Sequence, residues 1–571
     1  MNRRHFVTLS STALSAIPFA GFASIYNQQA NIPPVKPAWL LDIIKNYDQG
    51  VKGFSSYKVT DLNSPYFGGY YNGEGIPSPH STIGVIHHIC CVISCPESAY
   101  YQSKQLLVEL EQAIKATLKL QHEDGTIDLL DTNFHSTPDT GFMVKRLCIS
   151  YSLLKQSNTP GSAQALNLLQ QCLQRAGNAL STGGIHTPNH RWVVSAALTK
   201  LNALWPDPKY VNRINQWLAE HIDLDADGQY TEKSSYGYSA LVDRLLITIA
   251  RGMNKPELYE PVRKNLLMMR YYIHPNGEVV TEASNRQDKG QIGTMENYYY
   301  AARYMAIKDN NGEFAAICRL VEKTSPNSLG GFLLYFLEDP TLWKELPTAI
   351  PLPTNYVKAF PFSGLVRIRK ENWDATILSN NPGWLTFHKG NSVLQAMRIN
   401  ASFFGKGQFQ SADIKPSGNS WVLNKQLEGA YYQPFEPQYI SPDGDLGKMP
   451  KSNRKTSNVQ HLETTVTITP VANGIQVDFD MKGTDFVPVA IELIFRKGGK
   501  FSGVEAHPDK PNAFYCAEKQ GTYTIGTDSI TFGPGKKEHR GTQLRGGLPQ
   551  MDGNTVYITG ITPFKHSIVL S

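Results

Sequence analysis

The apolar pattern of the chain changes period once, near Glu345–Pro353, and this change limits the fold more than any other feature. Before it, apolar residues recur at spacings of three and four. Leu106, Leu107, Leu110, Ala113 and Ala116 make one such stripe, the pattern of an amphipathic helix. The same period runs through Phe142 to Leu154, Ala163 to Leu180, Trp192 to Leu204, Val211 to His221, Tyr238 to Met253 and Leu258 to Ile273. After a Pro-rich stretch the period becomes two, as in Gly364-Leu365-Val366-Arg367-Ile368-Arg369, Thr464 to Thr469 and Val489 to Phe495. Helices and strands bury different shapes of apolar surface, so the switch predicts two layers of different kind. We read a helical domain over 35–345 and an antiparallel β-sandwich over 355–571. With 571 residues, each part can bury its own core.

About ten helices with short connections predict antiparallel hairpins, either stacked as a solenoid or closed into a ring. Three connections carry related elements: Glu123-Asp124-Gly125-Thr126, Asp227-Gly228-Gln229-Tyr230 and Pro275-Asn276-Gly277-Glu278. Their recurrence at the same point of successive hairpins places a cleft at that end.

The start of the chain, with Arg3 and Arg4 before a short apolar stretch to Ser24, reads as a twin-arginine export signal over residues 1–26. The expected location is periplasmic or secreted. No other apolar run is long enough to span a membrane. Loss of Arg3 and Arg4 takes the formal charge from +6 to +4. A mild positive excess suits an acidic polymer partner. No basic arm or zinc-finger spacing points to nucleic acid. Seven irregularly spaced cysteines do not make a disulfide framework; buried thiols are expected, with one oxidised pair left open. The 28 tyrosines and 8 tryptophans offer rings on which sugars stack, though surfaces of exported proteins are often tyrosine-rich as well.

The residues richest in chemistry are Asn189-His190 and, about forty positions on, Asp227-Gly228-Gln229-Tyr230-Thr231-Glu232-Lys233-Ser234-Ser235-Tyr236-Gly237-Tyr238. An amide, an imidazole and phenols are the groups needed to remove a proton beside a carboxylate. The amide shares a proton with the carboxylate, the imidazole or a phenolate takes the C–H proton, and a phenol protonates the leaving oxygen. Asn189 and His190 precede an apolar period that starts at Trp192, so they sit at a helix start, where the dipole favours an anion and a neutral imidazole. A helix cap at Asn189 beside a hydrogen-bonded His190 is the alternative.

The order and spacing of these motifs resemble polysaccharide lyases built on an α/α toroid with a trailing β-sandwich, the alginate, chondroitin and heparin lyase groups. The resemblance implies that the helical hairpins close into a ring. It also implies β-elimination on a uronic-acid glycan to a 4,5-unsaturated product. Within that type the chain looks most like lyase family 27, which acts on rhamnosyl-glucuronate ends of arabinogalactan. The resemblance assigns catalysis to Asn189, His190 and one of Tyr236 and Tyr238, with Tyr236 the first choice. It assigns Arg286, in Glu282-Ala283-Ser284-Asn285-Arg286-Gln287-Asp288, to the uronate, against a simple pair with Asp288. His388 would complete the cleft from the sheet domain.

His135, His80 and Glu296 are further candidates for the cleft rim, and Asp139 is read as a helix cap. Asp223, Asp225, Asp227 and Gly228 match the first, third, fifth and sixth places of a calcium loop, but Ser234 stands at the twelfth. The segment is therefore a partial calcium site or a plain acidic turn. No metal or organic cofactor is otherwise expected, since zinc spacing, a nucleotide loop and a Gly-x-Ser-x-Gly elbow are all missing. Two other functions remain open: a glycoside hydrolase using two of Asp139, Asp227, Glu232 and Glu296, or a glycan-binding protein without turnover.

Overall fold

The computed structural model describes residues 35–517 and 519–571. The expected export signal lies outside them. Among the described residues, twelve α-helices precede the strands of the second domain, with one short antiparallel pair, Ile127–Leu129 and Asn133–Ser136, between the third and fourth. They are α1 (Ala38–Gly50), α2 (Pro79–Ser94), α3 (Lys104–Leu120), α4 (Thr137–Gln156), α5 (Ala163–Thr182), α6 (His190–Leu204), α7 (Pro208–Ala219), α8 (Tyr238–Gly252), α9 (Tyr259–Met269), α10 (Tyr299–Asp309), α11 (Gly312–Thr324) and α12 (Leu333–Glu338). The last helical turn is Pro340–Trp343, and the first strand of the sheet domain is Asn355–Phe360.

Consecutive helices pair as hairpins. α2, α4, α6, α8 and α10 touch in succession as an inner row, while α3, α5 and α7 run outside them. α12 and the turn before it touch α11, α1, α2 and α4 and close the row into a ring. The inner helices are buried almost all round, and α6 buries His190 to Thr199 without a break. That explains why the apolar stripe of α6 is weak compared with the stripe of α3.

The recurring connections join an outer helix to the next inner one. Gly125 and Gly228 have φ of +88° and +102°, which suits glycine. A Cβ at Gly125 would lie 2.2 Å from the carbonyl of Arg175 on α5, and one at Gly228 would lie 2.7 Å from the carbonyl of Lys264 on α9. Each turn therefore packs directly on the backbone of the following outer helix.

The second domain is two packed sheets. The nine-stranded sheet runs 505–506, 513–515, 554–561, 488–495, 392–401, 385–389, 373–378, 365–370, 355–360. The eight-stranded sheet runs 500–502, 521–525, 528–533, 564–570, 474–483, 456–471, 420–432, 415–417. The pairing is antiparallel except between Ala513–Tyr515 and Asn554–Ile561, which run parallel. Val366, Ile368, Ala375, Ile377, Leu385 and Phe387 point into the core between the sheets. Alternate residues on the same strands, Arg367, Asp374, Thr376 and His388, are also buried, because the helical ring covers that face. The ring core includes Phe360, Leu365 and Leu378 from these strands.

Candidate active site

Neighbouring inner helices are tied together at their starts. His80, in the first turn of α2, lies 3.6 Å from Asp139 in the first turn of α4. Asn189, just before α6, binds Glu232, which lies on the approach to α8. Tyr236, on the same approach, binds Glu296 just before α10. The N-termini of these helices therefore converge on one mouth, and their dipoles favour an anionic guest there.

Asn189 is the cap residue of α6, yet its side chain makes no capping bond. Its Nδ2 donates instead to Glu232 Oε2 at 2.5 Å, and its backbone N–H donates to the same oxygen at 3.2 Å. This fixes the amide and leaves Oδ1 buried without a partner. An unsatisfied buried acceptor is costly unless a guest supplies the donor. The second oxygen of Glu232 faces Arg286 Nε at 3.4 Å. Arg286 thus pairs with Glu232 and not with Asp288. Asp288 is taken by the backbone N–H of Tyr236 and the hydroxyl of Ser284. The Arg286 guanidinium also lies 5.4 Å from the centre of the Tyr238 ring.

His190 is 9% exposed and its Nδ1 has no partner. Burial pushes its pKa down to about 4, with His186 adding to the effect. The His186 ring meets it edge-on at 4.8 Å. The imidazole is therefore neutral near pH 7, the form that accepts a proton. Tyr236 precedes α8, and only Tyr238 lies within the helix, so the two phenols are not bound by helical spacing. The Tyr236 hydroxyl donates to Glu296 Oε1 at 2.7 Å. Burial, followed by this carboxylate, pushes the phenol up to about 12 and keeps it protonated.

The structure thus brings Asn189, His190, Tyr236, Tyr238, Arg286 and Glu296 into one mouth, with His80 on its wall. His135 does not join them. It lies in the short strand Asn133–Ser136 with φ +48°, stacks on His122 at 3.8 Å and binds Asp124 at 2.7 Å. His388 does not reach the mouth either: it is 3% exposed in the interface between the domains. The expected cap role of Asp139 belongs to Ser136, whose Oγ accepts from Asp139 N; Asp139 in turn accepts from Ser136 Oγ and Asn133. Glu232, read from sequence only as an acid for a hydrolase, is the residue that orients both Asn189 and Arg286. Its place in the Asp-Gly-x-Tyr-x-Glu run was the available signal.

The acidic turn docks the domains. Asp225 and Asp227 accept from the side chain and backbone of Ser363, and Asp223 accepts from Arg191 and Trp192. Lys233 donates to the carbonyl of Ser363 at 3.0 Å. Beside this contact a cavity of about 620 Å³ is lined by Lys233, Asn285, Lys289, Asn381 and Trp421. It runs along the loop that carries Arg286.

Behind the mouth, between the domains, His274 and His388 stack at 3.6 Å with nearly parallel rings. His274 Nδ1 contacts Asp374 at 3.0 Å, and its Nε2 lies 3.5 Å from Glu282. Arg367, fully buried, donates to Asp374 at 2.6 Å. Burial opposes charge on His274, but the two carboxylates outweigh it and raise its pKa to about 9. His274, Glu282 and His388 also place ligand atoms within 4.8 Å of one another; Asp223, Asp225 and Asp227 form no such group. As it stands, the interface cluster balances His274 and Arg367 against Asp374 and Glu282.

A closed ring of helical hairpins followed by a two-sheet sandwich is the fold of polysaccharide lyases of the heparinase and chondroitinase type. Heparinase III has a TM-score of 0.52 at 11% identity, with 95% of this chain and 85% of that chain covered. A chondroitinase AC lyase whose active site was revealed by oligosaccharide complexes gives 0.50 at 10% identity, covering 93% and 82%. Chondroitin AC lyase of Streptomyces coelicolor A3, in complex with chondroitin sulphate, gives 0.51 at 10% identity, covering 95% and 78%. No protein-family model and no curated protein matches the chain in sequence.

Proposed function

We propose that the protein is an exported polysaccharide lyase that cleaves a uronic-acid glycan by β-elimination. One observation carries this reading: a buried amide oxygen on Asn189 without a partner, fixed by Glu232 beside a neutral His190 and the Arg286 guanidinium. A uronate entering the mouth meets Arg286 with one carboxylate oxygen. Its other oxygen accepts from the second N–H of Asn189 Nδ2, which otherwise reaches only Thr187 Oγ1 at 3.3 Å, and this disperses the charge that builds up when the C5 proton leaves; the free Oδ1 accepts from a sugar hydroxyl. His190 takes that proton. The freed electron pair forms the C4–C5 double bond, the C4–O4 bond breaks, and O4 leaves.

Tyr238 supplies the proton to O4. Its hydroxyl is not tied to a carboxylate as that of Tyr236 is, and Arg286 lies over its ring. Tyr236 and Glu296 then form a wall of the site. The step uses only side chains of this chain. Trp421 and the polar residues of the interdomain cavity support a path for the rest of the glycan. The likeness to lyases supports the same class, and the terminal rhamnosyl-glucuronate linkage of arabinogalactan is the finer substrate we propose. Arg3-Arg4 at the start of the sequence supports export.

The hydrolase alternative needs two carboxyl groups free to act on one bond. Here Glu232 is held by Asn189 and Arg286, Glu296 by Tyr236 and Thr294, and Asp139 by Ser136 and Asn133. Incubation with pectic, alginate, glycosaminoglycan and arabinogalactan substrates tests the proposal. The expected outcome is a rise in ultraviolet absorbance from a conjugated unsaturated uronate on at least one of them. Reducing sugar without that absorbance would establish hydrolysis instead.

A further inference from the structure

Deeper in the ring, beyond the first turns of α4 and α8, lie three cations that pair with no acid. Lys145 on α4 is 4% exposed, and its ammonium lies 5.0 Å from the Phe142 ring centre. Arg146 follows it and is exposed, so solvent reaches this group. Arg244 on α8 lies 5.4 Å from the Tyr335 ring and 5.9 Å from the Phe332 ring, and its buried Nε has no partner. Phe332 and Tyr335 belong to α12 and the turn before it, which pack on α2 and α4 and so hold Arg244 toward them.

Two neighbouring cations of the ring have acids, Lys200 with Glu338 and Arg251 with Asp339, while buried Arg303 is satisfied by the carbonyls of Leu342 and Lys344. Lys145, Arg146 and Arg244 form no ion pair among the described residues. After burial, the charges that act on Lys145 are those of Arg244 and Arg146, and all three effects pull its pKa well below the ordinary lysine range. Arg146 also lowers His80 and His87 on α2, so its charge reaches the wall of the mouth. A buried, unpaired lysine beside two guanidinium groups is a costly arrangement for an empty site. It is a favourable one when an oxyanion enters, since guanidinium and ammonium groups then donate together.

We propose that Lys145, Arg146 and Arg244 form a second anion site beneath the mouth, which holds a sulfate or carboxylate group over the rings of Phe142, Phe332 and Tyr335. The group is either carried by a glycan residue beyond the one that reacts in the mouth or is a free inorganic anion. Binding here does not depend on β-elimination, so it can be tested whether or not the lyase reading holds.

The test uses the full chain and sodium sulfate against sodium chloride at equal ionic strength. Sulfate is expected to raise the melting temperature saturably, by about 2–5 °C. That gain should fall by at least half in Arg146→Gln and in Arg244→Gln. Lys145→Met removes a buried charge, so it should melt higher than wild type in chloride and gain nothing from sulfate. Equal sulfate gains in wild type and all variants would reduce the effect to general salting-out and overturn the site. So would a lower melting temperature for Lys145→Met in chloride. The source of the anion follows from kinetics on the cleaved glycan. A KM raised about tenfold in Arg146→Gln at unchanged kcat assigns the group to the substrate, and an unchanged KM in that variant, with its sulfate gain lost, assigns it to a free anion.

Discussion

His190 and His274 are both buried, both near carboxylates, and held in opposite states. His190 meets the start of α6, a second histidine and an arginine, and the acid that acts on it, Asp139, is already engaged. Its pKa falls to about 4. His274 touches two acids directly and rises to about 9. Burial acts the same way on both, so the difference comes from the partners. A neutral ring with an unpartnered nitrogen is a reagent. A charged ring paired on both sides joins two domains.

The sharpest way to break this comparison is to remove each centre. His190→Ala should lower kcat/KM on the order of a thousandfold while the melting temperature stays within a few degrees. A comparable loss of stability would show His190 to be structural. Arg367→Met should do the reverse. It removes one of two cations from buried Asp374 and should cost about 3–5 kcal/mol in denaturant unfolding, with activity per folded molecule retained.

Glu232→Gln sharpens the claim that the mouth works by orientation. It keeps the shape but loosens Asn189 and Arg286, and about a hundredfold loss of kcat is expected with a smaller change in KM. Two pH profiles separate the histidines with smaller effects. A base with its pKa at about 4 stays neutral well below the usual imidazole range, so kcat/KM should hold from neutrality down to near that value and fall below it. His274 has a folded value of about 9, above its unfolded value near ~6.5. Its stabilisation is therefore full below about pH 6.5 and is lost as the pH rises through about 9. His274→Gln should flatten that decline in melting temperature.

The sequence carried the local periods well. The stripes from Phe142 to Leu154 and from Ala163 to Leu180 fall within α4 and α5, and the switch to period two appears as the two sheets. It also carried Asn189, His190 and the tyrosine run, because those residues lie near helix starts that propensity and spacing mark. It did not carry what depends on covering. Arg367 alternates with Val366 and Ile368 and reads as a solvent-facing residue, yet it is fully buried because the helical ring lies on that face. His388, which the resemblance places at the cleft, is buried under the same cover. His274, Glu282 and Asp374 meet across as many as 100 positions, a distance no periodicity reports. Glu232 was visible as an acid, but its two partners, at positions 189 and 286, were not.

The turn from Asp225 to Tyr236 has a mechanical consequence. One end grips Ser363 of the sheet domain, and the other presents Glu232 and Tyr236 to the mouth. Sheet domain and reagent hang on the same short lever. If the sandwich rocks on its seat, the carboxylate that aims Asn189 must travel with it, so a tilt between domains doubles as a throttle on the chemistry.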